Sequence, residues 1–119
     1  MIKIKIKNFL SSKVKEENNC HNGKGIVRNS LVLDDDDFET NLRFIRYMEL
    51  PPKTSIGYHK HGDNEELYII LEGQGVMKID DEEKNVTKGD IITNKPFGSH
   101  GLINNSDDVI EMLVLEVYK

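Results

Sequence analysis

Two histidines one residue apart, His59 and His61, are followed closely by Glu65 and Glu66 and then by an apolar run that stops at Gly73 and Gly75. In an extended strand residues i and i+2 project to the same side, so the two imidazoles would point together while Lys60 points away. Such a pair is a ready chelate. The intervening Gly-Asp-Asn is a reversal signal, and an antiparallel return would bring Glu66 back beside the strand it left. Two imidazoles and one carboxylate on one face leave coordination positions open for water, substrate or oxygen. The plainer alternative is a polar turn between two strands. A second segment, GDIITNKPFGSHGLIN at 89–104, runs from a Gly-Asp turn through a strand and a Pro-Phe-Gly-Ser turn to His100. Three of the chain's four histidines thus sit at strand ends beside turns. A single histidine in a strand is usually a surface or hydrogen-bonded residue; the concentration is what points to a site.

The elements that must position these residues show period-two alternation almost throughout, with no amphipathic helix. IKIKIK at 2–7 places every Ile on one face and every Lys on the other, as an edge strand would. Residues 8–25 are polar and end in glycines, which predicts loop with at most a short helical turn. IVRNSLVL (26–33) and LRFIRYMEL (42–50) are strands, the second ended by Pro51-Pro52, which remove two backbone donors. Further strands are expected near 54–61, 66–72, 75–80, 84–87, 90–94, 99–104 and 109–118, with DDEE at 80–83 as a hairpin tip. Asp34 to Asp37 belong on a solvated turn, with a calcium loop the lesser alternative because no liganding spacing follows. Many short strands around one core make an all-β sandwich or small barrel.

The chain has 119 residues, enough for one domain and too few for two of ordinary size. Its net charge of −5 and scattered lysines leave no basic stripe for nucleic acid. No apolar run approaches membrane-spanning length, and the lysine-interrupted start lacks the core of a signal peptide, so a cytoplasmic protein with no membrane or nucleic-acid partner is expected. Cys20 is the only cysteine, which excludes an internal disulfide and agrees with a reducing compartment; it reads as an unreactive loop thiol. His21 beside it has no partner pattern and reads as loop.

The two histidine segments resemble the paired motifs of the cupin superfamily, small single-domain members in particular. The first family motif has two histidines separated by one residue, a glutamate a few residues on and a glycine after six more. Gly73 follows Glu66 with six residues between, which matches Glu66 to the motif and leaves Glu65 out. The motif's opening glycine is missing, with Lys53 and Thr54 in that region and Gly57 nearby. In the second motif Gly89, His100 and Asn104 keep the spacing, while KPFGSH shifts the usual Pro-x-Gly by one residue. The resemblance implies a double-stranded β-helix, the cupin jelly-roll barrel, over 26–119, preceded by an edge strand and loop at 1–25. It implies metal ligands His59, His61, Glu66 and His100 at one mouth, and a homodimer in which IKIKIK could be exchanged.

Three imidazoles and one carboxylate suit Fe, Mn or Zn first, and Ni, Co or Cu as well. Parity turns Tyr68 and Ile70 inward with Glu66, and Leu102 and Asn104 with His100. Tyr68 is the one candidate catalytic side chain, able to orient a substrate or donate a proton, though an inward tyrosine near a barrel mouth is more often packing. At least one of Arg43 and Arg46 should face the barrel, where it would favour an anionic ligand; a surface salt bridge is the plainer role. Met48, Met77 and Met112 should fill core gaps. Two functions follow: a metal-dependent enzyme acting on a small carboxylate, diketone or sugar derivative by oxygenation, decarboxylation or isomerisation, or a non-catalytic metal-containing binding or sensing module.

Overall fold

The computed structural model describes residues 4–118. Its strands are β1 (Lys15–Asn18), β2 (Ile26–Leu33), β3 (Leu42–Leu50), β4 (Ser55–Lys60), β5 (Asn64–Glu72), β6 (Gln74–Ile79), β7 (Glu82–Thr87), β8 (Ile91–Asn94), β9 (Ser99–Ile103) and β10 (Ile110–Tyr118). They form two antiparallel sheets, ordered β1-β2-β3-β10-β5-β8 and β4-β9-β6-β7. The jelly-roll arrangement follows from the alternation: each strand turns one face to the space between the sheets.

Leu50, Ile70, Met77, Leu102, Ile110 and Met112 fill that space with almost no exposed surface. Each such side chain contributes roughly 1.5–3 kcal/mol by burial. Met48 is buried with Met77 and Met112, as their gap-filling role requires. Two turns fix the register. Asp80 and Asp81 join β6 to β7 with φ of 44° and 72°, the two-residue primed turn whose twist matches a hairpin. Gly73 ends β5 with φ of 91°, and a Cβ there would stand 2.5 Å from the Val109 carbonyl. Only glycine fits that position.

The N-terminal segment departs from its expectation. Residues 4–7 form no strand, Ile4 and Ile6 are each 87% exposed, and residues 2–3 lie outside those described. The edge strand is instead β1, within the stretch expected to be loop. Alternation reports which face would be apolar; a strand also needs a strand to pair with, and 4–7 has none within the described chain. Residues 8–25 also hold 3-10 turns at Phe9–Ser11 and Cys20–Asn22. The acidic run forms a third, Asp35–Asp37, closed by a reciprocal cap between Asp34 and Asp37. No helix among the described residues is long and apolar enough to cross a membrane.

Candidate metal centre

The antiparallel register between β4 and β9 places His59 opposite His100, and Glu66 enters from β5 in the facing sheet. His61 lies one residue beyond β4, held by its backbone N–H donating to the Gly98 carbonyl at 3.1 Å. The His59 and His61 rings stand 4.5 and 4.9 Å from the His100 ring, centre to centre. His100 Nε2 is 3.3 Å from Glu66 Oε1. Sequence spacing therefore brings together all four predicted residues, while Lys60 is exposed and Glu65 pairs outward with Lys95 at 2.9 Å.

Ring orientation decides which atoms face the gap. His59 Nδ1 lies 2.7 Å from the Gly57 carbonyl, which can only accept, so Nδ1 carries the proton and Nε2 keeps its lone pair. His61 Nδ1 has the same relation to Asn64 Oδ1 at 2.7 Å. His61 Nε2 and both ring nitrogens of His100 are buried without a hydrogen-bond partner among the described residues; the His100–Glu66 approach is close but not aligned as a hydrogen bond. Unpaired buried nitrogens are costly, and a cation shared with Glu66 would satisfy them. Burial lowers the pKa of His59, which keeps that imidazole neutral as a ligand must be. Burial alone would raise the Glu66 carboxyl, but the three imidazoles, His100 foremost, outweigh it and hold the pKa below its ordinary value.

The donor set fits a divalent transition metal in chemistry and orientation. No three of its four residues bring their ligand atoms within 4.8 Å of one another. Asp34, Asp35 and Asp36 form the one group of three potential ligand residues among those described whose ligand atoms all lie within 4.8 Å of one another. Their reciprocal cap already accounts for that turn.

Glu66 opens onto a cavity of about 320 Å³, at the lower end of small-molecule sites. Tyr68 lines it, 3% exposed, with its ring edge-on to His100 at 5.5 Å. Burial raises its phenol well above the ordinary range, so it can donate a hydrogen bond but not serve as a base at neutral pH. A larger hollow of about 810 Å³, between the N-terminal segment and β2, contains none of the four candidate ligands.

Three cavity residues escaped the sequence reading. His21 stacks on His59 at 3.6 Å with rings nearly parallel. Cys20, expected as an unreactive loop thiol, is buried, and burial pushes its pKa up to about 12, which keeps it protonated. Glu116 is 6% exposed, opposite Glu66 in the β5–β10 register, and approaches Arg43 at 3.4 Å. Its burial, reinforced by the charge of Glu66, raises its pKa. The parity of β10 could have found it: Ile110, Met112, Val114 and Glu116 share a face, and three of these are core. Of the two arginines, Arg43 makes the salt bridge and Arg46 lines the cavity.

The sequence profile of the cupin domain matches residues 46–117. This chain belongs to the cupin family. It is 31% identical over 97 residues to an oxalate-binding protein of Thermotoga maritima, covering 82% of this cupin and 80% of the relative. A crystal structure of a predicted oxalate decarboxylase from Thermotoga maritima superposes with a TM-score of 0.93 at 26% identity, covering 97% of this cupin and all of that chain. The polyketide cyclase RemF from Streptomyces resistomycificus shares the fold alone, with a TM-score of 0.79 at 18% identity over 98% of this cupin and 81% of that chain.

Proposed function

We propose that this cupin holds one divalent transition metal through His59, His61, Glu66 and His100 and acts there on a small carboxylate. The observation that carries the reading is the set of buried imidazole nitrogens without protein partners around Glu66. Fe, Mn and Zn rank ahead of Ni, Co and Cu for such ligands. When bound, the metal would supply Lewis acidity toward a carboxylate or a coordinated water, or a site for oxygen. The chain's own residues do the rest. Gly57 and Asn64 fix the tautomers of His59 and His61, the apolar wall of Ile56 and Val114 limits water, and Tyr68 can donate a hydrogen bond to a ligand in the cavity. Oxygenation, decarboxylation and isomerisation are all within the reach of such a site.

A second reading, a metal-containing module that binds a small acid without turning it over, is favoured by the relative known as an oxalate-binding protein. Elemental analysis of protein purified without chelator, beside His100→Ala, tests the centre. Near-stoichiometric metal in the parent and little in the variant is expected; no metal in either after reconstitution would overturn it. Turnover of oxalate or another small acid by the loaded protein then separates enzyme from binding module.

We also propose a homodimer. β1 pairs with β2 only as far as Asn29, which leaves the outer edge of Ser30 to Leu33 without a strand partner among the described residues. The exposed Ile4 and Ile6 offer an apolar strand for that edge in a second copy. Light scattering of the intact chain and of a chain with Ile4 and Ile6 replaced by Asp tests it: a dimer that becomes a monomer is expected, and a monomeric parent would refute it.

A further inference from the structure

Among the described residues Arg46 is the only permanently cationic side chain lining the cavity that holds Glu66. Arg43 and Arg28 each have a carboxylate within ion-pair distance, Glu116 at 3.4 Å and Glu49 at 3.5 Å. Among the described residues Arg46 has none. Its Nη1 donates to Asn29 Oδ1 at 3.1 Å, and Asn29 Nδ2 donates in turn to Glu17 Oε1 at 2.7 Å. The guanidinium lies against the Phe44 ring at 4.9 Å. One face is therefore braced by an aromatic ring and one N–H by an amide, while the other four N–H groups have no protein acceptor among the described residues. A braced guanidinium without a counter-ion, at the wall of a small cavity, is suited to bidentate capture of a carboxylate.

We infer that Arg46 anchors a second carboxylate, so that the ligand is a small dicarboxylate with one end at the histidine cluster and the other on Arg46. The inference rests on the metal centre proposed above. Arg46 and, of the four proposed ligands, Glu66 line one cavity of about 320 Å³, so the two anion-binding elements, the guanidinium and a metal held at Glu66, share it. A monocarboxylate could satisfy only one of them. Glu17 and Glu116 line the same cavity but do not cancel the site: Glu17 reaches Arg46 only through Asn29, and Glu116 is directed to Arg43. Arg46 is thus a specificity-determining residue, and the preference for two-headed acids comes from β3 rather than from the strands that carry the cluster.

The test is calorimetric binding of oxalate, malonate, succinate and acetate to Mn(II)-loaded protein, in the parent, Arg46→Met and Arg46→Lys. Metal content is measured on each sample. For the best-bound dicarboxylate, Arg46→Met should weaken binding roughly tenfold or more, the loss of a charge-assisted hydrogen-bonded pair, while acetate binding and metal content stay unchanged. Arg46→Lys, which keeps charge but not the fork, should fall between and guards against a folding defect in the Met variant. Equal dicarboxylate affinity in parent and Arg46→Met, or an equal loss for acetate, would overturn the role of Arg46. Acetate bound as tightly as every dicarboxylate would overturn the ligand class. A parent that takes up no metal yet binds a dicarboxylate, with that binding lost in Arg46→Met, would refute the metal centre and leave the Arg46 anchor standing; no binding of any dicarboxylate would refute the anchor.

Discussion

His100 Nε2 and Glu66 Oε1 stand 3.3 Å apart although they come from opposite sheets, and they are not aligned to hydrogen-bond with each other. Two polar groups held so close with unspent capacity fit a shared third partner better than a bond between them. The β-sandwich thus brings a carboxylate from one sheet to a row of imidazoles on the other, and its closure defines the site.

Removing an imidazole should empty this centre without unfolding the barrel. Loss of an outer-shell partner of a metal ligand costs roughly 10–100-fold in affinity, so loss of a ligand should cost at least as much. His61→Ala is therefore expected to lower metal content at least about tenfold while far-ultraviolet circular dichroism stays that of a β protein. His61 is only half-buried, which limits the packing cost. Unchanged metal stoichiometry would sink the assignment.

The two adjacent glutamates should separate cleanly. Glu66 faces His100, whereas Glu65 makes an exposed pair with Lys95, of the kind that contributes about 0–1 kcal/mol. Glu65→Gln is expected to be nearly silent in metal content and melting temperature, and Glu66→Gln to lose metal. Equal losses would show that the other carboxylate holds the metal.

The cluster was legible in the sequence because strand parity and turn residues are local signals. His59 and His61 share a face by spacing alone, and Gly62 to Asn64 announce the return of Glu66. His21 had no such signal. It reaches His59 through a 3-10 turn in which Asn19, His21 and Asn22 all have positive φ, and which docks where Gly23 closely approaches Ser55 and Gly57. Nothing within residues 19–23 encodes contact with a strand more than thirty residues away. Arg46 was legible only as one of two alternatives, since which arginine faces inward depends on the register of β3. The 2–7 edge strand poses the opposite case: the Ile-Lys alternation is a strong local pattern, but pairing is decided by partners, and residues 4–7 have no strand partner within the described chain.

Glu116 should be a liability to the fold at neutral pH. Its folded pKa is raised, first by burial and then by Glu66, so above the ordinary carboxylate pKa of 4.5 the native state holds its proton more tightly than the unfolded chain. Stability then falls as pH rises through and above that value. Glu116→Gln resembles the protonated acid and should melt higher than the parent at pH 7, both stripped of metal. The gain should shrink as pH is lowered toward the ordinary carboxylate range. A variant less stable at pH 7 would mean that the 3.4 Å pair with Arg43 outweighs burial.

Gly57 should be needed both for packing against the Cys20–Asn22 turn and for orienting His59. A Cβ at Gly57 would stand 2.0 Å from the His21 carbonyl oxygen and 2.7 Å from the Gly23 nitrogen, both backbone atoms that cannot swing aside. The Gly57 carbonyl is also the acceptor that sets the His59 tautomer. Gly57→Ala should therefore cost about 1–3 kcal/mol of stability by overpacking and weaken metal retention through His59. Gly62→Ala is the control: nothing lies within 4 Å of a Cβ there, and the same measurements should barely move. Denaturant unfolding and metal titration of the two variants side by side check both halves. If Gly57→Ala keeps full stability, the Cys20–Asn22 turn is free to lift from β4, and the His21–His59 stack does not brace the site.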